Sequence, residues 1–280
     1  MVKPEPYMTR KYRGVMKKIS KHIQNKKKLS LIRLSDGESA FLGYPDYSGR
    51  EPYEAFLLRW WGKTSLPEAE DRRLREDLKV AISKADILGI PNPKHPTRED
   101  MRNIHRMLTD WGLLRDRMVI SSNLINLRFL ENGYFEQIFQ QETEIGMITP
   151  NVELKEIIEA RYNVRIHLIG IRGQAKFFTD GPHYPDEYDK VLAAIQPKML
   201  YIVSAGICGK VYCNRIRELG GIALDAGSIT DFWAGKKTRL VHDRWKDRGL
   251  QSMTAKVQDL TGAEDREEED DDERDDDTGS

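Results

Sequence analysis

Leu29-Ser-Leu-Ile-Arg-Leu-Ser-Asp-Gly-Glu38 is the stretch on which the reading of this chain turns. A short apolar run leads straight into two carboxylates, Asp36 and Glu38, separated by one glycine. In extended or tightly turned backbone, side chains at i and i+2 project to the same side. Gly37 lets the chain turn there without a Cβ clash. Two carboxylates facing one way at the carboxyl end of a strand suit a divalent cation that keeps its waters and takes further ligands from substrate phosphates. Ser35-x-x-Glu38 equally fits a helix capping box. Acid-x-acid triplets are also common: 45 acids in 280 residues give roughly seven by chance.

Outward from this stretch, short apolar runs alternate with longer amphipathic ones. Strands are expected over 29–34, 86–90, 118–121, 145–148, 165–169, 199–204 and 222–225, and helices over 10–25, 67–84, 98–111, 152–162, 186–196 and 210–219. Most of the strand runs lack polar alternation, as in a sheet covered on both faces. The expected class is therefore α/β, a Rossmann-like mainly parallel sheet with helices on both faces. Ligands of such sheets gather beyond the carboxyl ends of the strands, where Asp36 and Glu38 sit. The turn-forming stretches Pro91-Asn-Pro-Lys-His-Pro96 and Asp180-Gly-Pro-His-Tyr-Pro185 are too short to divide the chain. We read a basic amphipathic helix over 1–28, one domain over 29–262 and an acidic tail over 263–280.

The zero net charge hides a strong asymmetry. Residues 264–280 carry twelve acids and two arginines, leaving the rest of the chain with 43 basic and 33 acidic residues. Such a tail has nothing apolar to bury and is expected to be disordered. The stretch 10–28 holds nine Lys or Arg and no acid, with Tyr12, Val15, Met16, Ile19 and Ile23 at helical spacing. It reads as a helix packed on the body, with contact to an anionic surface or nucleic acid as the other use of its charge. The only cysteines, Cys208 and Cys213, are too few for a disulfide framework or zinc site and suit a reducing compartment. There is no signal-peptide pattern and no apolar run near 18 residues, so a cytoplasmic location is expected.

A second constellation lies later. Met199-Leu-Tyr-Ile-Val-Ser-Ala-Gly-Ile-Cys-Gly-Lys210 reads as a strand, a glycine-containing turn and a helix start. Gly206 and Gly209 would let backbone N–H groups approach a phosphate, and Lys210 would add charge. The glycines would equally serve a tight turn alone. Gly-x-x-Gly-Lys is not a Walker A loop, because Val211 stands where a hydroxyl would bind the metal. Asp225, at the end of the next strand, lies where nucleotide-binding units hold a ribose, or it caps the following turn.

Taken together, Arg33-Leu-Ser-Asp-Gly-Glu38, Ser204-Ala-Gly-Ile-Cys-Gly-Lys210 and Leu224-Asp-Ala-Gly-Ser228 resemble the motifs of the GT-D fold glycosyltransferases. Leu34 stands where that family usually has an aromatic residue, and Ser35 where it has glycine. The resemblance spans roughly 10–245, and strand order alone carries it through the middle third. It implies transfer of a sugar from a nucleoside-diphosphate donor, a UDP-sugar first among them, with Mn2+ or Mg2+ held by Asp36 and Glu38. Arg33, Gly206, Gly209 and Lys210 would then bind the donor. For a general base near the acceptor hydroxyl, Asp225, Asp231 and His242 are the candidates. Trp60 and Trp61 are candidates for stacking on a sugar. The donor sugar, the acceptor (glycan, protein or other), the stereochemical outcome and the oligomeric state are left open. Two rivals stand beside this reading: a metal-free nucleotide- or adenosylmethionine-binding enzyme using Gly206 and Asp225, and a non-catalytic module gripping nucleic acid or an anionic surface.

Overall fold

Every apolar run expected to be a strand forms one, each within one residue of its expected bounds. The computed structural model describes residues 8–9, 11–47, 53–91, 99–114, 118–173, 183–239, 241–247 and 253. The acidic tail and His95 lie outside them. The strands, numbered in chain order, are β1 (Met8–Thr9), β2 (Leu29–Arg33), β3 (Ile87–Ile90), β4 (Val119–Ser122), β5 (Glu144–Thr149), β6 (Arg165–Gly170), β7 (Leu200–Val203) and β8 (Ile222–Asp225). The helices are α1 (Tyr12–Gln24), α2 (Asp36–Gly43), α3 (Tyr53–Trp61), α4 (Glu68–Lys84), α5 (Glu99–Asp110) and α6 (Ile125–Glu131). They continue with α7 (Tyr134–Gln141), α8 (Leu154–Tyr162), α9 (Tyr188–Ala194), α10 (Cys208–Glu218), α11 (Ile229–Trp233) and α12 (Val241–Asp247).

All the pairings are parallel, and the sheet order is β1-β4-β3-β2-β8-β7-β5-β6. Two apolar layers cover it. One is built from α2, α3, α4, α5, α9 and α10, the other from α1, α6, α7, α8, α11 and α12. Alternate strand residues feed the two layers: Ile32 of β2 enters the first, Leu29 and Leu31 the second. That is why the strand runs show no polar alternation. Among the described residues no helix is long and apolar enough to cross a membrane.

Helix α1 is held by the face read from its sequence. Val15 and Ile19 are buried in the second layer, and the Ser20 hydroxyl meets the Tyr134 hydroxyl at 2.8 Å. Lys17, Lys21 and the run 26–28 stay exposed. Helices α3, α6, α7, α11 and α12 had no counterpart in the sequence reading, being short or interrupted. Gly133, at φ 61°, breaks α6 from α7 with the left-handed turn that glycine adopts at little cost.

Candidate active site at the boundary of β2 and β8

From β2 the chain runs outward through β3 to β4, whereas β8 is reached from the other side through β7. The two directions meet between β2 and β8, and the crevice beyond their carboxyl ends is where a sheet of this kind leaves room for a ligand. Two clusters of polar side chains line this place.

The first cluster is sealed. Ser35 ends the extended segment and caps α2 through a complete capping box. Glu38 Oε2 accepts from the Ser35 amide at 2.8 Å and from its hydroxyl at 3.3 Å. The same-side arrangement expected of Asp36 and Glu38 is thereby corrected. They occupy the first turn of a helix, roughly 200° apart around its axis. Asp36 is exposed, while Glu38 is only 4% exposed.

Behind Glu38, the Lys210 ammonium lies 3.0 Å from Glu38 Oε1, 3.1 Å from Asp225 Oδ2 and 3.0 Å from the Gly206 carbonyl. Arg33 closes the other side of Asp225. Its amide donates to Oδ2 at 3.1 Å, Nε donates to the Asp225 carbonyl at 3.0 Å, and Nη1 donates to Asn123 O and Asn126 Oδ1, both at 2.7 Å. The Gly227 amide donates to Asp225 Oδ1 at 3.1 Å. Gly227 is at φ +60°, and a Cβ there would stand 1.9 Å from Arg33 Nη2. Burial alone would raise the Asp225 carboxyl, but Lys210 and Arg33 outweigh it and hold the group below the usual carboxylate range. Burial would likewise depress Lys210. Asp225 and Glu38 more than offset it, and the ammonium is held above its ordinary value.

Helix α10 starts two residues before the sequence reading placed it. Gly209 therefore lies in its first turn rather than in the turn before it, and Lys210, expected as the first helical residue, points inward to two carboxylates. Gly206, at φ +56°, makes the turn, and Gly209 packs against Val203 and Ala205.

The second cluster is more open. Asp231, partly exposed on α11, accepts from Asn151 Nδ2 at 2.7 Å and from the Thr238 hydroxyl at 2.6 Å. Lys236 donates to Asn151 Oδ1 at 2.7 Å and pairs with Glu153 at 2.8 Å. The Arg239 guanidinium lies 5.0 Å from the centre of the Trp60 ring. Burial lowers the Arg239 pKa, opposed by Asp231, Asp36 and Glu38 and reinforced by Arg59. Arg239 thus belongs electrostatically to both clusters. The Trp60 ring packs against Gly37, where an added Cβ would be 3.4 Å from it, whereas Trp61 is a core residue set against Phe41 and Phe56.

His242 is 2% exposed and faces Ser228. Asn123, Asn126, Asn151, Ser228, Thr238 and Arg239 were missed by the sequence reading. Asn123 and Asn151 stand just past the ends of β4 and β5, a position that marks any residue of a parallel sheet for inspection.

This architecture has counterparts. The model of the GT-D fold-like domain matches residues 10–233. The chain belongs to that family. Among solved structures, the GT-D fold-like chain is similar to a selenomethionine-substituted domain of unknown function 1792, with a TM-score of 0.55 and 13% identity over 88% of this chain and 84% of that one. It is similar also to a domain of unknown function 1792 described as highly conserved and as having a distinct glycosyltransferase fold, with a TM-score of 0.53, 14% identity and the same coverage. At such identities the likeness is one of fold. No curated protein matches the GT-D fold-like chain.

Proposed function

We propose that this GT-D fold-like protein is a metal-dependent glycosyltransferase that moves a sugar from a nucleoside-diphosphate donor, a UDP-sugar first among them, to an acceptor hydroxyl. The observation that carries the reading is the exposed Asp36 carboxylate, set at the crevice end of β2 beside the charged groups of β8 and α10. The leaving group of such a reaction is a diphosphate, so the barrier falls when fixed charge meets the negative charge growing on it.

The donor chemistry fits a hard divalent cation, Mn2+ or Mg2+, at Asp36 with Glu38 behind it. Among the described residues no group of three or more His, Cys, Asp or Glu surrounds one point, so substrate phosphates and water would complete the coordination shell. When bound, such a cation supplies Lewis-acid stabilisation of the departing diphosphate.

The chain's own residues do the rest. Lys210 holds Glu38 and Asp225 in place by pairing with both, and it helps keep Asp225 ionised. Arg33 ties β2 to β8 and to the segment after β4. Arg239, stacked near Trp60 and drawn toward Asp36, offers a guanidinium at the mouth for the diphosphate. A metal-free variant has one observation behind it: the Lys210 ammonium already bridges Glu38 and Asp225.

Calorimetric titration of UDP and then other nucleoside diphosphates, with and without Mn2+, on wild type and Asp36→Asn tests both. The proposal expects Mn2+-dependent binding that the variant loses. Binding indifferent to Mn2+ and to the substitution would leave the metal-free variant, and no binding of any nucleotide would sink the reading.

A further inference from the structure

Ser228 stands at the N-cap position of α11, where a serine normally accepts a hydrogen bond from an amide of the first turn. It makes no such bond. Its hydroxyl lies 3.2 Å from Nε2 of His242, and Nδ1 of the same ring lies 3.1 Å from the Lys236 carbonyl. A carbonyl can only accept, so in the neutral ring the proton sits on Nδ1 and Nε2 is bare. The Ser228 hydroxyl is therefore the donor to Nε2. The ring is clamped by Phe232 and Trp245, with centroids at 5.8 and 4.9 Å. Ser228 is itself partly exposed, next to the Gly227 whose amide holds Asp225.

We propose that Ser228 and His242 form a proton relay for the acceptor in the transfer reaction, with Ser228 Oγ touching the acceptor hydroxyl and His242 holding the proton behind it. This rests on the glycosyltransferase reading. The acceptor O–H bond breaks, and its electron pair forms the new bond to the anomeric carbon. The bond from that carbon to the diphosphate breaks, and its pair leaves with the diphosphate. The acceptor's proton goes to Ser228 Oγ as the serine's own proton passes to Nε2, giving an imidazolium. Of the other two candidate bases, Asp225 is sealed by Lys210 and Arg33, and Asp231 accepts from Asn151 and Thr238.

The charged groups around the ring set its state. Burial lowers the His242 pKa, the Lys236 carbonyl and the carboxylates of Asp231 and Asp243 work against that, and Arg239 works with it. Lys236, Lys237 and Lys246 line the same recess. The ring is thus the free base at neutral pH.

The test is release of UDP from UDP-glucose, UDP-galactose and UDP-N-acetylglucosamine into water, with Mn2+, from pH 5 to 9, on wild type, Ser228→Ala, Ser228→Thr and His242→Gln. UDP affinity and melting temperature are measured alongside. Ser228→Ala loses no cap bond but leaves the buried His242 Nε2 without its donor, so it is expected to melt a few degrees below wild type and to bind UDP within about twofold of it. Its turnover is expected to fall about 100-fold, with the acid limb of the pH profile lost and Ser228→Thr recovering most of the rate. Wild-type turnover and acid limb in Ser228→Ala would overturn the relay and leave the transferase reading intact. So would a loss of UDP affinity and melting temperature together, which marks a structural role. A wild-type protein that releases UDP from no donor overturns the transferase reading, and the relay with it. His242→Gln is expected to repeat the Ser228→Ala result, and the serine variants decide the matter should it fail to fold.

Discussion

Lys210 and His183 are basic side chains buried to nearly the same depth, 5% and 6% exposed, and both lie against α10: Lys210 is part of it, and His183 packs on its Tyr212. They meet burial in opposite ways. Lys210 Nζ has three acceptors, two of them carboxylates, and stays charged. His183 has one, the Arg172 carbonyl at 3.1 Å, while its Nε2 has no partner among the described residues. Burial pushes its pKa down to about 4, against a smaller upward pull from that carbonyl and Glu187, and the ring is neutral. Depth does not decide whether a buried base carries charge. The number and charge of its partners do.

The strongest way to break this contrast is to take the charge from Lys210. Lys210→Met strands Glu38 and Asp225 without their cation, and removal of one partner of a buried pair costs about 3–5 kcal/mol. Urea unfolding should show a loss of that size, and wild-type stability in the variant would show that the carboxylates do not need the ammonium.

His183 supplies the opposite signature. Its folded pKa lies below the value of about 6.5 expected in the unfolded chain. Between those two values the unfolded state binds a proton that the native state refuses, so stability falls as pH drops from about 6.5 to about 4. A shift of that size corresponds to about 3 kcal/mol. His183→Phe should flatten the loss, as read by denaturant melts at pH 7 and pH 4.5. Asp225 acts in a different window. Its native pKa is held below the unfolded value, so its contribution is present above about pH 4 and is lost only as pH falls further.

Asp36 extends the comparison to an exposed charge. Asp36→Asn should leave stability within about 0.5 kcal/mol of wild type, yet weaken Mn2+-dependent UDP binding at least tenfold. Arg73 and Asp189 set the lower bound: their contact at 3.0 Å is largely solvent-exposed. Arg73→Ala should cost no more than about 1 kcal/mol, shrinking further in 0.5 M NaCl.

The legible parts of this fold were those fixed by local pattern. The strands declare themselves as apolar runs because both sheet faces are covered, and α1 because Val15 and Ile19 recur at helical spacing. The carboxyl ends of β2 and β8 were found because Asp36 and Asp225 follow such runs directly. What stayed hidden depends on where a helix begins and what its first turn faces. Two residues at the start of α10 decide whether Lys210 meets a ligand or a pair of buried acids. The capping box turned Glu38 inward, although Ser35-x-x-Glu38 had offered that reading. Arg239 and Trp60 come together from positions nearly 180 residues apart, and no local pattern signals their meeting.

The adjacency of β2 and β8 also has a consequence for the chain as it leaves the ribosome. Leu29, Ser30 and Leu31 pair with Ile222, Ala223 and Leu224, almost at the other end of the described chain. At about 5–20 residues per second, β8 emerges on the order of 10 to 40 s after β2. Once β3 has followed, β2 and β3 can associate, but the other edge of β2 stays unpaired until β8 arrives. The nascent chain must be kept from pairing that edge with a neighbour on the same messenger until its own last strand arrives. The crevice is thus among the last parts of the protein to exist.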